Sequence, residues 1–248
     1  MRTLALLFLL SPLWLMATMA HAVTVIAADV PPFVIRSQQG APSGMAIEVL
    51  EEAARRLHEP LTIEMMPLAR ALIQTRHRPD VLLLPPVRSP QRASQLLWIV
   101  PLLEEAFVLV SDQRHHADPL FVKTLSALTP APTIGAMRGS YGESLIQPIP
   151  GIQVERVAEE ISNASKLARG RIQGWAVAWN SARYNQQQAG LPLANLVRGQ
   201  TLQRTAIYLA AHPDFSPAEA TRWRKTIQGM RRDGSLARIL KQYDYQAP

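Results

Sequence analysis

At 248 residues, 48% of them hydrophobic, the chain has apolar content for one large or two smaller packed cores, which excludes a disordered protein. The lack of any cysteine excludes a disulfide framework and a thiol for lipid attachment, so packing must supply the stability. The formal charge of +7 is dispersed in short groups, Arg55-Arg56, Arg76-His77-Arg78 and Arg231-Arg232, without interleaved aromatics, and reads as a solvated basic surface suited to anionic ligands or membranes, not as a nucleic-acid platform.

Residues 1–22 open on Arg2, run through an apolar stretch from Leu4 to Met19 that Ser11 and Pro12 interrupt, and end in Ala20-His21-Ala22. That is the pattern of an export signal. The apolar part is shorter than the roughly 20 residues a bilayer span needs, so cleavage after Ala22 and a soluble protein in a bacterial periplasm are expected.

From Val23 onward, short β-branched runs alternate with amphipathic segments. The pattern predicts a strand at 23–29, a helix at 44–57, a strand at 61–66, a helix at 68–76 and a strand at 81–84. The last of these, VLLL, has no polar alternation, as a parallel strand covered on both faces requires. A second set follows: a strand at 107–111, a helix near 120–127, a strand at 133–137, a helix from about 141, a strand at 152–157, a helix to Arg169 stopped by Gly170, and a strand at 175–179. Ser216-Pro217 then starts a helix to about Arg232, and Asp233-Gly234 turns into a last helix ending near Tyr243. Such alternation predicts an α/β protein of mainly parallel sheets flanked by helices, and two sets without a linker predict two lobes with a cleft between them.

The usual catalytic signatures are missing: no G-x-S-x-G, no H-E-x-x-H, no Walker loop and no G-x-G-x-x-G. His115-His116 with Asp118 lacks further ligands at metal spacing and reads as an exposed loop, so neither a metal nor a cofactor is implied. The pairs Glu51-Glu52, Glu104-Glu105 and Glu159-Glu160 read as solvated faces, because neighbours in sequence point in different directions. Trp175 and Trp179, four apart on a predicted strand, share a face that suits a core or a cleft wall.

Arg92 has a more specific context. It follows the buried strand, and Ser89-Pro90 resembles an N-cap and first-turn proline, so its guanidinium would stand beside free backbone N–H groups, a combination that suits a carboxylate. Spacing alone leaves a second reading open, that of a surface arginine tying down the turn.

Over essentially the whole chain after Ala22, the sequence resembles the family 3 extracellular solute-binding proteins, the type II periplasmic binding proteins typified by carriers of polar amino acids. The resemblance rests on Asp29-Val30-Pro31-Pro32-Phe33, on Gly44-Met45-Ala46-Ile47-Glu48-Val49, and on Asp80 followed by Arg92. It continues through Pro101-Leu102, Ile134-Gly135-Ala136, Gly139-Ser140, Gly170-Arg171, and Arg232-Asp233-Gly234-Ser235-Leu236 before Tyr243. It implies two α/β lobes, 23–105 plus 206–248 and 106–205, joined by two crossing strands and closing on a solute. It also implies a monomer that serves an inner-membrane ABC permease or a membrane receptor, with no role for nucleic acid. In such carriers the arginine matching Arg92 grips a ligand carboxylate. Asp29, Arg70, Arg88, Ser140, Tyr141 and Trp179 complete the expected site. Departures are informative: Ala178 stands where carriers place an aspartate for the ligand ammonium, Val30 and Pro67 or Leu68 where aromatics are usual, and Leu84, Pro85 and Val87 at hydroxyl or glycine positions. An anionic or weakly polar solute is therefore expected. Cyclohexadienyl dehydratases also resemble these carriers, and for such chemistry Asp29 and Glu48 are the acids the sequence offers.

Overall fold

The computed structural model describes residues 22–37 and 40–248. The export-signal reading, apart from Ala22, lies outside them. Among the described residues, no helix is long and apolar enough to cross a membrane.

The expected βαβαβ run opens the fold. β1 (Val23–Ala28) is buried over its last four residues, and α1 (Met45–Leu57) covers it with Met45, Ile47, Val49, Leu50 and Ala53, apolar at helical spacing. Gly44 precedes this helix at φ 114, where a Cβ would stand 2.7 Å from the Phe33 carbonyl oxygen, so the turn needs glycine. β2 (Leu61–Met66), α2 (Leu68–Thr75) and β3 (Val81–Leu84) follow. β2 and β3 flank β1, both parallel to it.

β4 (Leu97–Asp112) then leaves this half of the molecule for the other, where α3 (Val122–Leu125), β5 (Thr133–Met137), α4 (Tyr141–Ile146), β6 (Gln153–Val157), α5 (Glu160–Ala168), β7 (Gly174–Ala178) and α6 (Trp179–Gln188) form a second set. β8 (Leu196–Ala211) returns to the first half, and α7 (Pro217–Arg232) and α8 (Ser235–Gln242) close the chain. The eight strands lie in the order β2-β1-β3-β8-β4-β7-β5-β6. The outer pairs are parallel, while β4 and β8 run antiparallel through the middle. At about 3.3 Å per residue each of these strands reaches about 50 Å, enough to belong to both halves. Register shifts at Trp98/Val100, Pro101/Leu103 and Phe107/Val108 bend the ribbon where it passes between them.

Several expectations need correction. β4 begins at Leu97, not Phe107, and the helix expected near 120–127 shortens to α3. The residue pattern placed neither β8, which only the two crossing strands of the resemblance implied, nor α6: β8 is half-exposed along its first part, and α6, WNSARYNQQQ, lacks an apolar stripe. The helix expected after Ser89-Pro90 is a series of turns, held by Arg92 N–H to Ser89 O and Gln95 N–H to Arg92 O, each 3.0 Å. Trp179 is the first residue of α6, so it does not share a strand face with the fully buried Trp175. Two acids read as solvated, Glu105 and Glu160, are 0% and 5% exposed.

Candidate functional site

The site forms where strand ends of the two halves meet. From the first half, β3 runs into Pro85-Pro86 and the turn at 89–95, which sends the half-buried Arg92 across the gap. Its Nη2 donates to the Gly139 carbonyl at 2.6 Å. Burial pushes this guanidinium down from its ordinary value, and Arg76 adds to that, while Tyr141 and Glu143 oppose it. From the second half, β5 ends at Met137, and Gly139 adopts φ 73, where a Cβ would lie 3.3 Å from that of Ala69. The halves touch there. Ser140 caps α4, its Oγ accepting the Glu143 N–H at 3.1 Å, and the Glu143 carboxylate accepts the Gly139 N–H at 2.6 Å, a variant of the reciprocal cap that fixes this loop. The Tyr141 ring packs edge-on against Phe107, centroids 5.2 Å apart. A second bridge between halves runs from Ser181 Oγ to the Pro31 carbonyl, 2.6 Å.

These groups surround a cavity with about 30 Å³ of free volume, close to that of one water molecule. A solute of several heavy atoms therefore enters only when the halves part. Larger hollows lie away from Arg92, among them one of about 530 Å³ between α1 and α8, one of about 480 Å³ beside His58 and Trp223, and one of about 350 Å³ along α5.

Of the residues expected at the site, Arg92, Ser140 and Tyr141 line the cavity. The other four lie outside its wall. Asp29 accepts the Arg36 N–H at 3.1 Å and faces the Arg36 side chain, Arg70 and Arg88 are exposed, and Trp179 donates to Gln246 Oε1 at 2.9 Å beneath the Arg198 guanidinium. Val30, Leu68, Pro85, Val87 and Ala178, all positions of departure from the carrier pattern, line it too. Among the described residues, no group of three His, Asp or Glu side chains is placed to hold a metal.

Sequence reasoning missed Ser181 and Glu160, which are also in the cavity wall. Glu160 Oε2 accepts from Trp175 Nε1 at 2.8 Å and from Asn163 Nδ2 at 2.9 Å. Desolvation pushes its carboxyl up to about 7 against the pull of those two hydrogen bonds. No local signal marks it, because Trp175, which draws it inward, lies 15 residues on, in β7.

The family model for bacterial extracellular solute-binding proteins, family 3, matches residues 23–246. The chain belongs to this family. Among solved structures, a mutant of ArgBP from T. maritima is similar over 92% of this chain and 96% of that one, at 17% identity and a TM-score of 0.77. An ancestral amino acid-binding protein described as a precursor of cyclohexadienyl dehydratase covers 90% of this chain and 94% of its own, at 12% identity and a TM-score of 0.78. A histidine kinase sensor domain with similarity to periplasmic binding proteins covers 90% and 96%, at 17% identity and a TM-score of 0.77. At these identities the likeness establishes the fold of this family 3 protein, a mixed α/β structure of two lobes. No curated protein sequence matches it.

Proposed function

We propose that this family 3 protein is exported to the periplasm, loses its signal after Ala22, and captures a small carboxylate-bearing solute between its lobes for an inner-membrane ABC permease. The lobes are 23–105 plus 206–248 and 106–205, with their boundaries inside β4 and β8. The observation that carries this reading is Arg92, a partly desolvated guanidinium that reaches across the gap and, among the described residues, finds as its acceptor a neutral carbonyl, Gly139 O, at 2.6 Å. A solute carboxylate offers a charge-assisted, two-pronged acceptor in its place, roughly twice as strong per hydrogen bond.

One such contact nets about 1.5–3 kcal/mol, whereas micromolar binding requires about 8 kcal/mol. The remainder has to come from burying the solute on both sides as the lobes shut, which makes capture and closure one event. The test is a thermal-shift screen of amino acids, dicarboxylates, aromatic acids and polyamines on wild type and Arg92→Ala. A carboxylate-bearing compound is expected to raise the melting temperature of wild type alone, with far-UV circular dichroism unchanged between the two. An equal rise in the variant, or a preference for a polyamine, counts against the reading.

One observation favours a second reading, a dehydratase on the same scaffold. The acids that the sequence offered lie outside the cavity wall, Asp29 held by Arg36 and Glu48 bonded to the Tyr243 hydroxyl. Glu160, in the wall and pushed up to about 7, has the proton affinity of a general acid at neutral pH. Incubation with prephenate separates the two, because a carrier returns the compound unaltered.

A further inference from the structure

Arg92 and Glu160 bring a guanidinium and a carboxyl group to one cavity from opposite lobes. Among the described residues neither is joined to an ion-pair partner. Both donors to Glu160, Trp175 Nε1 and Asn163 Nδ2, go to the same oxygen, Oε2, and Oε1 accepts from no other described residue. Asn163 makes its contact while its own Oδ1 stays buried without a partner. Room for that amide exists because residue 135 is glycine: a Cβ there would stand 2.5 Å from Asn163 Oδ1. The arrangement thus holds an acidic acceptor at the cavity wall and leaves one of its oxygens unused. Such a group in a desolvated site calls for a donor, and a cation above all.

Most of the remaining wall is hydrocarbon, including Val30, Leu68, Val87, Met137, Ala178 and Ile207. A polar solute would lose its hydration there without compensation, whereas an apolar one gains by burial.

Resting on the carrier reading, we infer that the site is built for an apolar zwitterion, with its carboxylate on Arg92, its ammonium on Glu160 Oε1 and its hydrocarbon part against the cavity walls. Glu160 thereby supplies, from the start of α5, a counter-charge that residue 178 does not. The inference narrows the solute from any carboxylate to one with a cationic nitrogen and an apolar remainder.

The proton count gives an independent readout. Of the titratable groups on α5 and on the elements around it, Glu155 pairs with Lys166, Glu143 with Arg156, Asp112 with Arg114 and Arg183 with Asp244, Glu105 is bonded to Asn180, and Glu104 and Glu159 are exposed. Tyr141 and Tyr184 are both raised by burial and stay neutral. An ammonium drawn to Glu160 favours its ionised form, so binding near neutral pH releases a proton. A carboxylic acid without the ammonium adds only negative charge, and its binding takes one up.

The test uses titration calorimetry on the full mature chain, with L-leucine, L-methionine and L-phenylalanine against 4-methylpentanoate, 4-(methylthio)butanoate and 3-phenylpropanoate, which lack only the amine. L-arginine and L-glutamine serve as polar controls. At least one apolar amino acid is expected to bind at least about tenfold more tightly, about 1.4 kcal/mol, than its amine-free partner and than either control. It should release protons in paired buffers of different ionisation enthalpy. Glu160→Gln, which keeps the acceptor for Trp175 and Asn163, should erase that tenfold margin and the proton release, while Glu160→Asp should retain part of both. Equal or tighter binding of the amine-free acids, a preference for arginine or glutamine, or no binding of any apolar amino acid overturns the inference. If carboxylates bind in an Arg92-dependent way without preferring the amine, only the inference fails. If nothing in the panel depends on Arg92, the carrier reading fails with it.

Discussion

Glu105 and Glu160 make a natural comparison, because burial pushes both carboxyls up to about 7, yet they are wired differently. Glu105 sits on β4 where it crosses between the lobes, and both of its oxygens are used: Oε1 accepts the Ala106 N–H at 2.8 Å and Oε2 accepts Asn180 Nδ2 at 2.8 Å. Glu160, a residue of the cavity wall, spends one oxygen on protein donors and leaves the other without one among the described residues. Equal desolvation therefore yields a structural group in one place and a group with spare capacity in the other. Truncation should expose the contrast most strongly. Glu105→Ala leaves a backbone N–H and an amide unpaired in a site with 0% exposure and should destabilise by about 3 kcal/mol in urea melts. Glu160→Ala opens onto the cavity, where water can reach the freed donors, and should lose about 1 kcal/mol. A larger loss at Glu160 than at Glu105 would break the comparison.

The pH dependence should sharpen it. Each carboxyl holds its proton to about pH 7 in the folded chain, against 4.5 when unperturbed. Between those values the folded state binds more protons than the unfolded one, so each group's contribution is fully present below the lower value and is lost as pH rises. The slope is at most about 1.4 kcal/mol per pH unit for each group. Urea midpoints measured from about pH 5 to about pH 7 should fall, and Glu105→Gln and Glu160→Gln should each flatten the decline. A saturating apolar zwitterion should cancel only the Glu160 share, since it holds that group ionised in the folded state as well.

What the sequence made legible follows the same division between local and distant causes. The first lobe was readable because each of β1, α1, β2, α2 and β3 carries its own periodicity, and Arg92 because it directly follows a buried strand. β8 was not, since its early residues, among them Arg198, Gln200, Gln203 and Arg204, carry no apolar run of their own and become a strand through pairing with β4. Trp179 read as part of a strand with Trp175, although the chain turns into α6 between them. Glu160 was hidden for a related reason. Its doublet partner Glu159 is exposed, and only Trp175 and Asn163 decide which of the two turns inward.

The C-terminal tail supplies the smallest expected effect and a limit on the comparison. After α8 it crosses onto α6, where Gln246 exchanges two 2.9 Å hydrogen bonds with Asn180, the same side chain that satisfies Glu105. Arg183 adds bonds to the Asp244 carbonyl at 2.9 Å and to its carboxylate at 2.6 Å. The Asp244 side chain is 80% exposed, so this ion pair is well screened and should contribute about 0.5 kcal/mol. Arg183→Ala should lower the urea midpoint by that small amount in dilute buffer and by less in about 1 M salt, where the screening length falls to about 3 Å. Asn180→Ala, in contrast, frees a Glu105 oxygen as well as the tail, and its loss should be larger and insensitive to salt. Were Arg183→Ala to cost as much as Asn180→Ala, the tail itself would be holding the crossing together, and the buried carboxyl of Glu105 would be a passenger.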